Sequence, residues 1–343
     1  VDATYGGRSF SSDKINLQHR PAIVVGTPGR IAAHLRRETF TANYIKTLVL
    51  DEFDKSLEIG FDDEMIQIME LLPYVDKKIL TSATKGVEIP DFVDLENPVI
   101  INFLDQGIPK LTVKSIISPE KDKLSTLYKA LCHLGTQSGI VFCNYKNAIH
   151  RISEYLEQQG IAHGCFYGGM EQKDRERALI KFRNGTHRVI IATDLAARGI
   201  DVPALQFIIH YHLPFRKEEF THRNGRTARM HAEGTAYVLY WEQDRLPDYM
   251  DELPKEVLQD ALIPEPTDWE TLFISGGRKD KISKGDIAGT FFRHAQLEKG
   301  ELGIIELKND CAFVAVAAKK ANHVVKKLDN VRMKKRKVRV RLI

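Results

Sequence analysis

At 343 residues, 43% hydrophobic and 28% charged, the chain is long enough for two or three domains and has the composition of a soluble globular protein with a buried core. No apolar run approaches the roughly 18 residues that span a bilayer, and Val1, Asp2, Ala3 and Thr4 have neither the basic start nor the apolar stretch of a signal peptide, which excludes a membrane protein and predicts a cytoplasmic one. Four cysteines (Cys132, Cys143, Cys165, Cys311) form no CxxC pair and have no His-rich spacing beside them, which excludes a zinc site or disulfide framework and leaves buried thiols.

In chain order, residues 1–246 carry 31 basic and 31 acidic side chains. They alternate short apolar runs with helical patterns, as a parallel sheet covered by helices on both faces requires. Residues 22–25, 48–50, 79–80, 140–142, 189–192, 207–209 and 236–239 read as buried strands. Leu124, Leu127, Tyr128 and Leu131 follow the i, i+3, i+4, i+7 spacing of an amphipathic helix. A join at residues 105–111, with Gly107 and Pro109, divides two α/β units, 1–106 and 107–246. Residues 247–275 carry one basic and eight acidic residues with four prolines, the composition of an extended connector.

Residues 276–343 reverse the balance, with 18 basic and 7 acidic residues, net +11, a density suited to binding a polyanion. Their pattern predicts strand, helix, strand, strand, helix, strand at 280–282, 287–294, 303–307, 312–317, 319–328 and 338–342, with Ala321, Val324, Val325 and Leu328 as the apolar face of the second helix.

The chemistry lies in the polar segments at the strand ends. GTPGR (26–30), DEFD (51–54), TSAT (81–84), NYK (144–146) and Thr193-Asp194 all come directly after apolar runs, and in open α/β sheets ligands bind beyond the carboxyl ends of the strands. An Asp-Glu pair there suits a Mg²⁺-nucleotide hydrolase: one carboxylate holds the metal, usually through water, and the next orients or deprotonates the attacking water. Asp51 and Glu52 fit those roles, with an acidic helix N-terminus as the alternative. HRNGRTAR places Arg223, Arg226 and Arg229 within two turns, with the last two spaced to share a helix face. Guanidinium groups so spaced suit a triphosphate, and the alternative is a solvated basic helix face. GTPGR and the YGG segment (Tyr5, Gly6, Gly7) permit close approach to a phosphate backbone.

TPGR, DEFD, SAT, VFCN, GGMEQKDR, ATDLAARGIDV and HRNGRTAR occur in the order found in DEAD-box RNA helicases of superfamily 2, and residues 5 to about 246 resemble that family. The resemblance implies two RecA-like parallel-sheet α/β lobes, the first incomplete, an ATP-dependent RNA helicase activity, and ATP and Mg²⁺ as cofactors. By position it implies metal coordination by Asp51, water activation by Glu52, and coupling of hydrolysis to strand separation by Ser82 and Thr84 with Asp54. It implies phosphate contacts from Arg226 and Arg229, nucleotide contacts from Gly199 and Asp201, and His222 as the link between lobes. RNA contacts fall to Gly6, Gly7, Thr27, Pro28, Gly29, Arg30, Gln172, Arg175 and Thr193. Phe53 and Ala228 stand where the family usually has alanine and glycine, which implies packing changes only. No G-x-x-x-x-G-K-[ST] loop occurs in the 343 residues, so the chain is expected to begin partway through its first lobe and to hydrolyse ATP poorly or not at all by itself.

KISKGDIAG, LGIIEL, CAFVAV and KKRKVRVRLI resemble the C-terminal RNA-binding domain of the DbpA-like subgroup, a small α+β RRM-like domain. This implies a monomeric protein acting on structured ribosomal RNA during large-subunit assembly. An RNA-binding assembly factor without ATP turnover is the alternative. Cys311 and Val316 stand where RRM stacking rings usually sit, leaving Phe313 as the possible platform. Binding then rests on charge: Arg332, Lys334, Lys335, Arg336, Lys337, Arg339 and Arg341 crowd the last 13 residues, with a disordered basic tail as the competing reading.

Overall fold

The structure, a computed structural model, describes residues 1–82, 88–103, 111–194, 205–227, 233–250 and 252–343. Thr84, Gly199, Asp201 and Arg229, and most of the expected join at 105–111, lie outside the described residues. The chain divides into two compact units, Val1–Ile108 and Pro109–Ile343.

The first unit runs β1 (Asp2–Thr4), α1 (Phe10–Leu17), β2 (Val24–Gly26), α2 (Pro28–Arg36), β3 (Thr47–Leu50), α3 (Phe53–Ile59), α4 (Asp62–Glu70) and β4 (Lys77–Leu80). β1 pairs with β2, and β3 with β4, both in parallel. Ala32 and Leu35 of α2 pack on Ile68 of α4 and on Leu72, the face expected of residues one helical turn apart. The strand faces are half covered, with Val25 and Val49 each more than half exposed.

The second unit begins with a six-stranded, wholly parallel sheet. Its elements are β5 (Leu111–Ser118), α5 (Leu124–Leu134), β6 (Gly139–Cys143), α6 (Lys146–Gln158), β7 (His163–Phe166), α7 (Gln172–Arg183), β8 (Val189–Thr193), β9 (Phe207–His210), α8 (Lys217–Asn224) and β10 (Gly234–Trp241). The order across the sheet is β5-β10-β9-β6-β8-β7. Central strands GIVFC and FIIH are buried along their whole length, because helices cover both faces and no position alternates to water. Edge strand β7 alternates half-buried and buried residues, and its short HGCF sequence gave no apolar run to recognise.

The acidic connector does not hang loose. It lies along the outer edge of β5: the Ser115 amide donates to Pro254 O at 2.8 Å and the Glu256 amide donates to Ser115 O at 2.8 Å. Glu256 also pairs with Lys114 at 2.6 Å and lies 3.3 Å from His133. Pairing of this kind satisfies backbone groups that an open sheet edge would expose.

The C-terminal elements are β11 (Trp269–Ile274), α9 (Lys284–His294), β12 (Leu302–Leu307), β13 (Ala312–Ala317), α10 (Ala318–Leu328), β14 (Arg332–Met333), β15 (Arg336–Lys337) and β16 (Val340–Leu342). The antiparallel sheet has the order β12-β13-β11-β16, backed by α9 and α10 over a core including Leu272, Val314, Phe291 and Val324. Two expectations are corrected. Residues 280–282 form no strand; Arg278–Asp280 is a 3₁₀ turn. The first strand is β11, which alternates buried Leu272 and Ile274 but sits among acidic residues that had placed it in the connector. Ser283 caps α9, its hydroxyl accepting the Asp286 amide while Asp286 accepts the Ser283 amide, a reciprocal box that fixes the helix start.

The sheet face turned away from α9 and α10 packs on the end of α7. The Thr271 hydroxyl meets Thr186 at 2.7 Å and accepts from Asn184 Nδ2 at 3.1 Å, all buried. Arg183 donates to both oxygens of Glu306 at 3.0 Å, and Lys308 lies 2.6 Å from Glu176. Phe313 is only 4% exposed, edge-on to Phe273. It is therefore no open stacking platform.

Candidate functional site

In the first unit, the acidic segment starts where β3 ends. Asp51 is exposed, and its carboxylate accepts the Thr81 hydroxyl at 2.5 Å. The Glu52 amide donates to Thr81 Oγ1 at 3.2 Å and the Phe53 amide to Thr81 O at 3.1 Å. Thr81 therefore clamps the turn from the neighbouring strand end, with Ser82 next in line. Glu52 adopts a left-handed backbone, φ +48°, which a non-glycine residue holds only when its surroundings fix it. Behind it Phe53, Asp54 and Lys55 are buried, so the turn rests on a packed base.

The glycine segment and TPGR lie side by side because β1 and β2 are paired. The Thr27 amide donates to Thr4 O at 3.2 Å, and a Cβ on Gly26 would come within 2.5 Å of that same carbonyl, so only glycine permits this approach. Gly7 has φ +83°, again glycine territory. Pro28 opens α2 with Thr27 before it; Pro28 has no N–H and the Arg30 and Ile31 amides donate to Thr27 O at 3.0 Å, so the first turn offers a phosphate the Gly29 amide. Arg30 departs from expectation: its guanidinium donates to Asp13 Oδ2 at 2.9 and 2.7 Å and to Arg8 O at 2.9 Å.

In the second unit the NYK, TD and HRNGR segments converge on one buried arginine. Arg223, with a side chain 1% exposed, donates to both Asp194 oxygens at 2.6 Å, to Asn144 Oδ1 at 2.7 Å and to His212 O at 2.7 Å, above the Phe142 ring. Burial and the Lys123 and Arg223 charges push His212 down to about 4, so the neutral ring accepts the Asn144 amide on Nδ1 at 3.2 Å. Burial, with Arg223 nearby, holds His210 down at about 3, and burial pushes the Cys143 thiol up to about 12. Both are neutral packing groups.

Arg223 and Arg226 thus do not share one basic helix face. α8 ends at Asn224, followed by Gly225, and Arg226 sits in a turn whose amide donates to Arg223 O at 3.0 Å. Arg229 lies outside the described residues. His222 is half-buried on α8, Thr193 closes β8 opposite Cys143, Gln172 is exposed at the first position of α7, and Arg175 lies over the Phe166 ring at 5.0 Å.

All the expected C-terminal cations are exposed. Three are bound to carboxylates: Lys334 to Asp286 at 2.8 Å, Arg336 to Asp280 at 2.7 Å and Arg339 to Asp329 at 2.8 Å. Lys334 and the Ser283 contacts hold Asp286 at about 2. Arg332, Lys335, Lys337 and Arg341 have no ion pair among the described residues, Arg341 lying over the Phe273 ring at 5.0 Å, which leaves their charge for a ligand.

Comparison with known proteins places the chain in a family. Family models described as DEAD/DEAH box helicase, Helicase conserved C-terminal domain and DbpA RNA binding domain match residues 1–92, 122–231 and 271–342. The ATP-dependent RNA helicase DbpA of Escherichia coli is 30% identical over 349 residues, covering 98% of this chain and 76% of that protein. The chain belongs to the DEAD-box helicases. The Bacillus subtilis DbpA is 29% identical over 375 residues, 98% of this chain and 78% of the relative. Among solved structures, S. cerevisiae Dbp5 bound to RNA and ADP BeF3 shares the fold with a TM-score of 0.60 at 23% identity, over 71% of this chain and 64% of that one. Mss116 bound to ssRNA and UDP-BeF aligns with a TM-score of 0.61 at 22% identity, over 77% of this chain and 58% of that one.

Within this DEAD-box chain, the structure brings Asp51 and Glu52 together with Thr81, and Gly6 and Gly7 beside TPGR. Asp13, Thr81, Asn144 and Asp194 hydrogen-bond candidate site segments; the last three stand in the TSAT, NYK and TD segments that the sequence pattern marked. Asp13 gave no such signal. No helix among the described residues is long and apolar enough to cross a membrane.

Proposed function

We propose that this DEAD-box chain is the remodelling machinery of an ATP-dependent RNA helicase acting on structured ribosomal RNA, with large-subunit assembly as its setting. The observation that carries this reading is the Asp51-Glu52 turn at the carboxyl end of β3, tied through Thr81 to the TSAT segment. Its donors suit Mg²⁺: Asp51 offers an exposed carboxylate at the strand end, with Glu52 beside it. Mg²⁺ accepts such a site because it keeps waters and takes one or two carboxylates together with phosphate oxygens. When bound, Mg²⁺-ATP supplies the phosphoryl group whose transfer to water powers the cycle.

The protein's own part is positional and electrostatic. Asp51 anchors the ion. Glu52 orients the attacking water and takes its proton, from a turn whose conformation Thr81 fixes. Arg226 and Arg229 offset phosphate charge, Gly199 and Asp201 hold the nucleotide, and Ser82, Thr84, Asp54 and His222 pass its state to the RNA-binding segments. Gly6, Gly7, Thr27, Pro28 and Gly29 receive RNA backbone on the first unit, and Gln172, Arg175 and Thr193 do so on the second. The C-terminal cations without an ion pair hold a neighbouring structured element by charge, which fits the closed sheet face.

RNA-stimulated ATP turnover, measured in a chain that carries a phosphate loop, tests the proposal. Stimulation by structured RNA and not by DNA supports it. Equal stimulation by DNA points to a DNA motor, and RNA binding without turnover to an assembly factor.

A further inference from the structure

Among the described residues of the first unit, Asp13 is the most enclosed carboxylate, its side chain fully buried, at a place where the sequence marks no binding role. Its Oδ2 receives Arg30 Nε and Nη2 at 2.9 and 2.7 Å, with His34 Nε2 3.6 Å away, and Arg8 Nε lies 3.7 Å from Oδ1. The same Arg30 donates to Arg8 O and lies over the Phe10 ring, which stacks on His34 at 4.1 Å. One guanidinium therefore ties α1, the segment after the YGG turn, and α2. With 16% of its side chain exposed, Arg30 has few donors left to offer a ligand.

We propose that Asp13 is a positioning residue for the RNA-binding backbone of the first unit, and that Arg30 is its strut rather than a phosphate contact. This rests on the RNA reading of Gly6, Gly7 and Thr27 to Gly29. The Gly6, Gly7 and Gly29 amides sit on two segments joined by the β1–β2 pairing, the Phe10–His34 stack and this strut, and two N–H bonds from one guanidinium to a single carboxylate oxygen fix its orientation as well as its distance. Removing the carboxylate leaves a nearly buried cation without its partner, which forces the guanidinium outward and loosens both segments.

The two roles of Arg30 differ in their salt signature. A phosphate contact releases a counterion, so its loss lowers the slope of log affinity against log salt by about 0.7 for a single strand. A strut changes affinity at constant slope.

The test uses the full chain with Asp13→Asn and Arg30→Gln. Hydrogen exchange of residues 5–9 and 26–31 is followed without RNA, and photocrosslinking of 4-thiouridine oligouridylate to residues 5–31 is followed against salt. Crosslinking isolates this surface from the C-terminal domain. Both variants are expected to speed exchange in both segments about tenfold and to weaken crosslinking about tenfold with unchanged slope. A lower slope for Arg30→Gln, with wild-type crosslinking by Asp13→Asn, overturns the proposal in favour of a direct contact. Unchanged exchange overturns the strut itself. Faster exchange with no oligouridylate crosslinks even in wild type overturns the RNA reading of the surface instead. Should Asp13→Asn fail to fold, Arg30→Lys decides: it keeps the charge and loses the fork, so crosslinking weakens at constant slope, and wild-type behaviour overturns the proposal.

Discussion

The Arg223 guanidinium and the Asp194 carboxylate meet in a two-bond fork, both bonds 2.6 Å long, with the arginine side chain 1% exposed. Asn144 and the His212 carbonyl take its remaining donors, so one side chain joins the ends of β6, β8 and β9 to α8. Breaking a buried pair by removing one partner costs about 3–5 kcal/mol. Arg223→Ala is accordingly expected to destabilise the second unit by about that much in chemical denaturation. Arg223→Lys is expected to recover only part, since an ammonium cannot reproduce the fork. A loss under about 1 kcal/mol for the alanine variant contradicts the arrangement.

Much of this was legible in the sequence, and the exceptions share a physical cause. Long apolar runs such as GIVFC and AFVAVA declare buried strands, and the polar segments that begin at Asp51 and Thr81 after such runs declare strand ends, which meet through the Thr81–Asp51 bond. Short edge strands do not: HGCF of β7 has too few apolar residues to stand out. Charge misleads when it is buried. Arg223 reads as one of three arginines suited to a triphosphate, because nothing local reveals its partners 29 and 79 residues away. WETLFI was lost among acidic neighbours, although its alternation fits the pairing with β13. Asp13 is silent because its value lies in Arg30, 17 residues on.

One fully buried histidine and two half-buried ones make the second unit acid-sensitive. Burial holds His210 down at about 3, helped by Arg223, and His212 and His187 at about 4, helped by Lys123 and Lys181 respectively. All three lie below the ordinary 6.5, so in acid the unfolded chain takes up protons that the folded chain refuses. Stability is full above about pH 6.5 and falls as pH drops toward 4. His210→Gln, which can still donate to Asn224 Oδ1, is expected to flatten the loss between pH 6.5 and 4 by up to about 1.4 kcal/mol per pH unit. An unchanged pH profile of denaturation midpoints rules this out.

Among the C-terminal cations, pairing predicts rank. Lys335→Ala and Lys337→Ala each remove an exposed charge without an ion pair among the described residues, and each is expected to lower the salt slope of RNA binding by about 0.7–0.9. Arg339→Ala removes a cation already held by Asp329 and is expected to change the slope by less than half that amount. Equal slopes for all three variants contradict a charge-led surface.

The most direct measurement is RNA-stimulated phosphate release by Glu52→Gln in a chain that carries a phosphate loop. The substitution keeps the size and hydrogen-bonding reach of the side chain and removes its ability to take a proton. The expected result is RNA affinity within about twofold of wild type and turnover lowered by about 10²–10⁴-fold, the range of general-base catalysis. Wild-type phosphate release would contradict it, because the acidic turn that Thr81 holds at the end of β3 would then have no part in the chemistry.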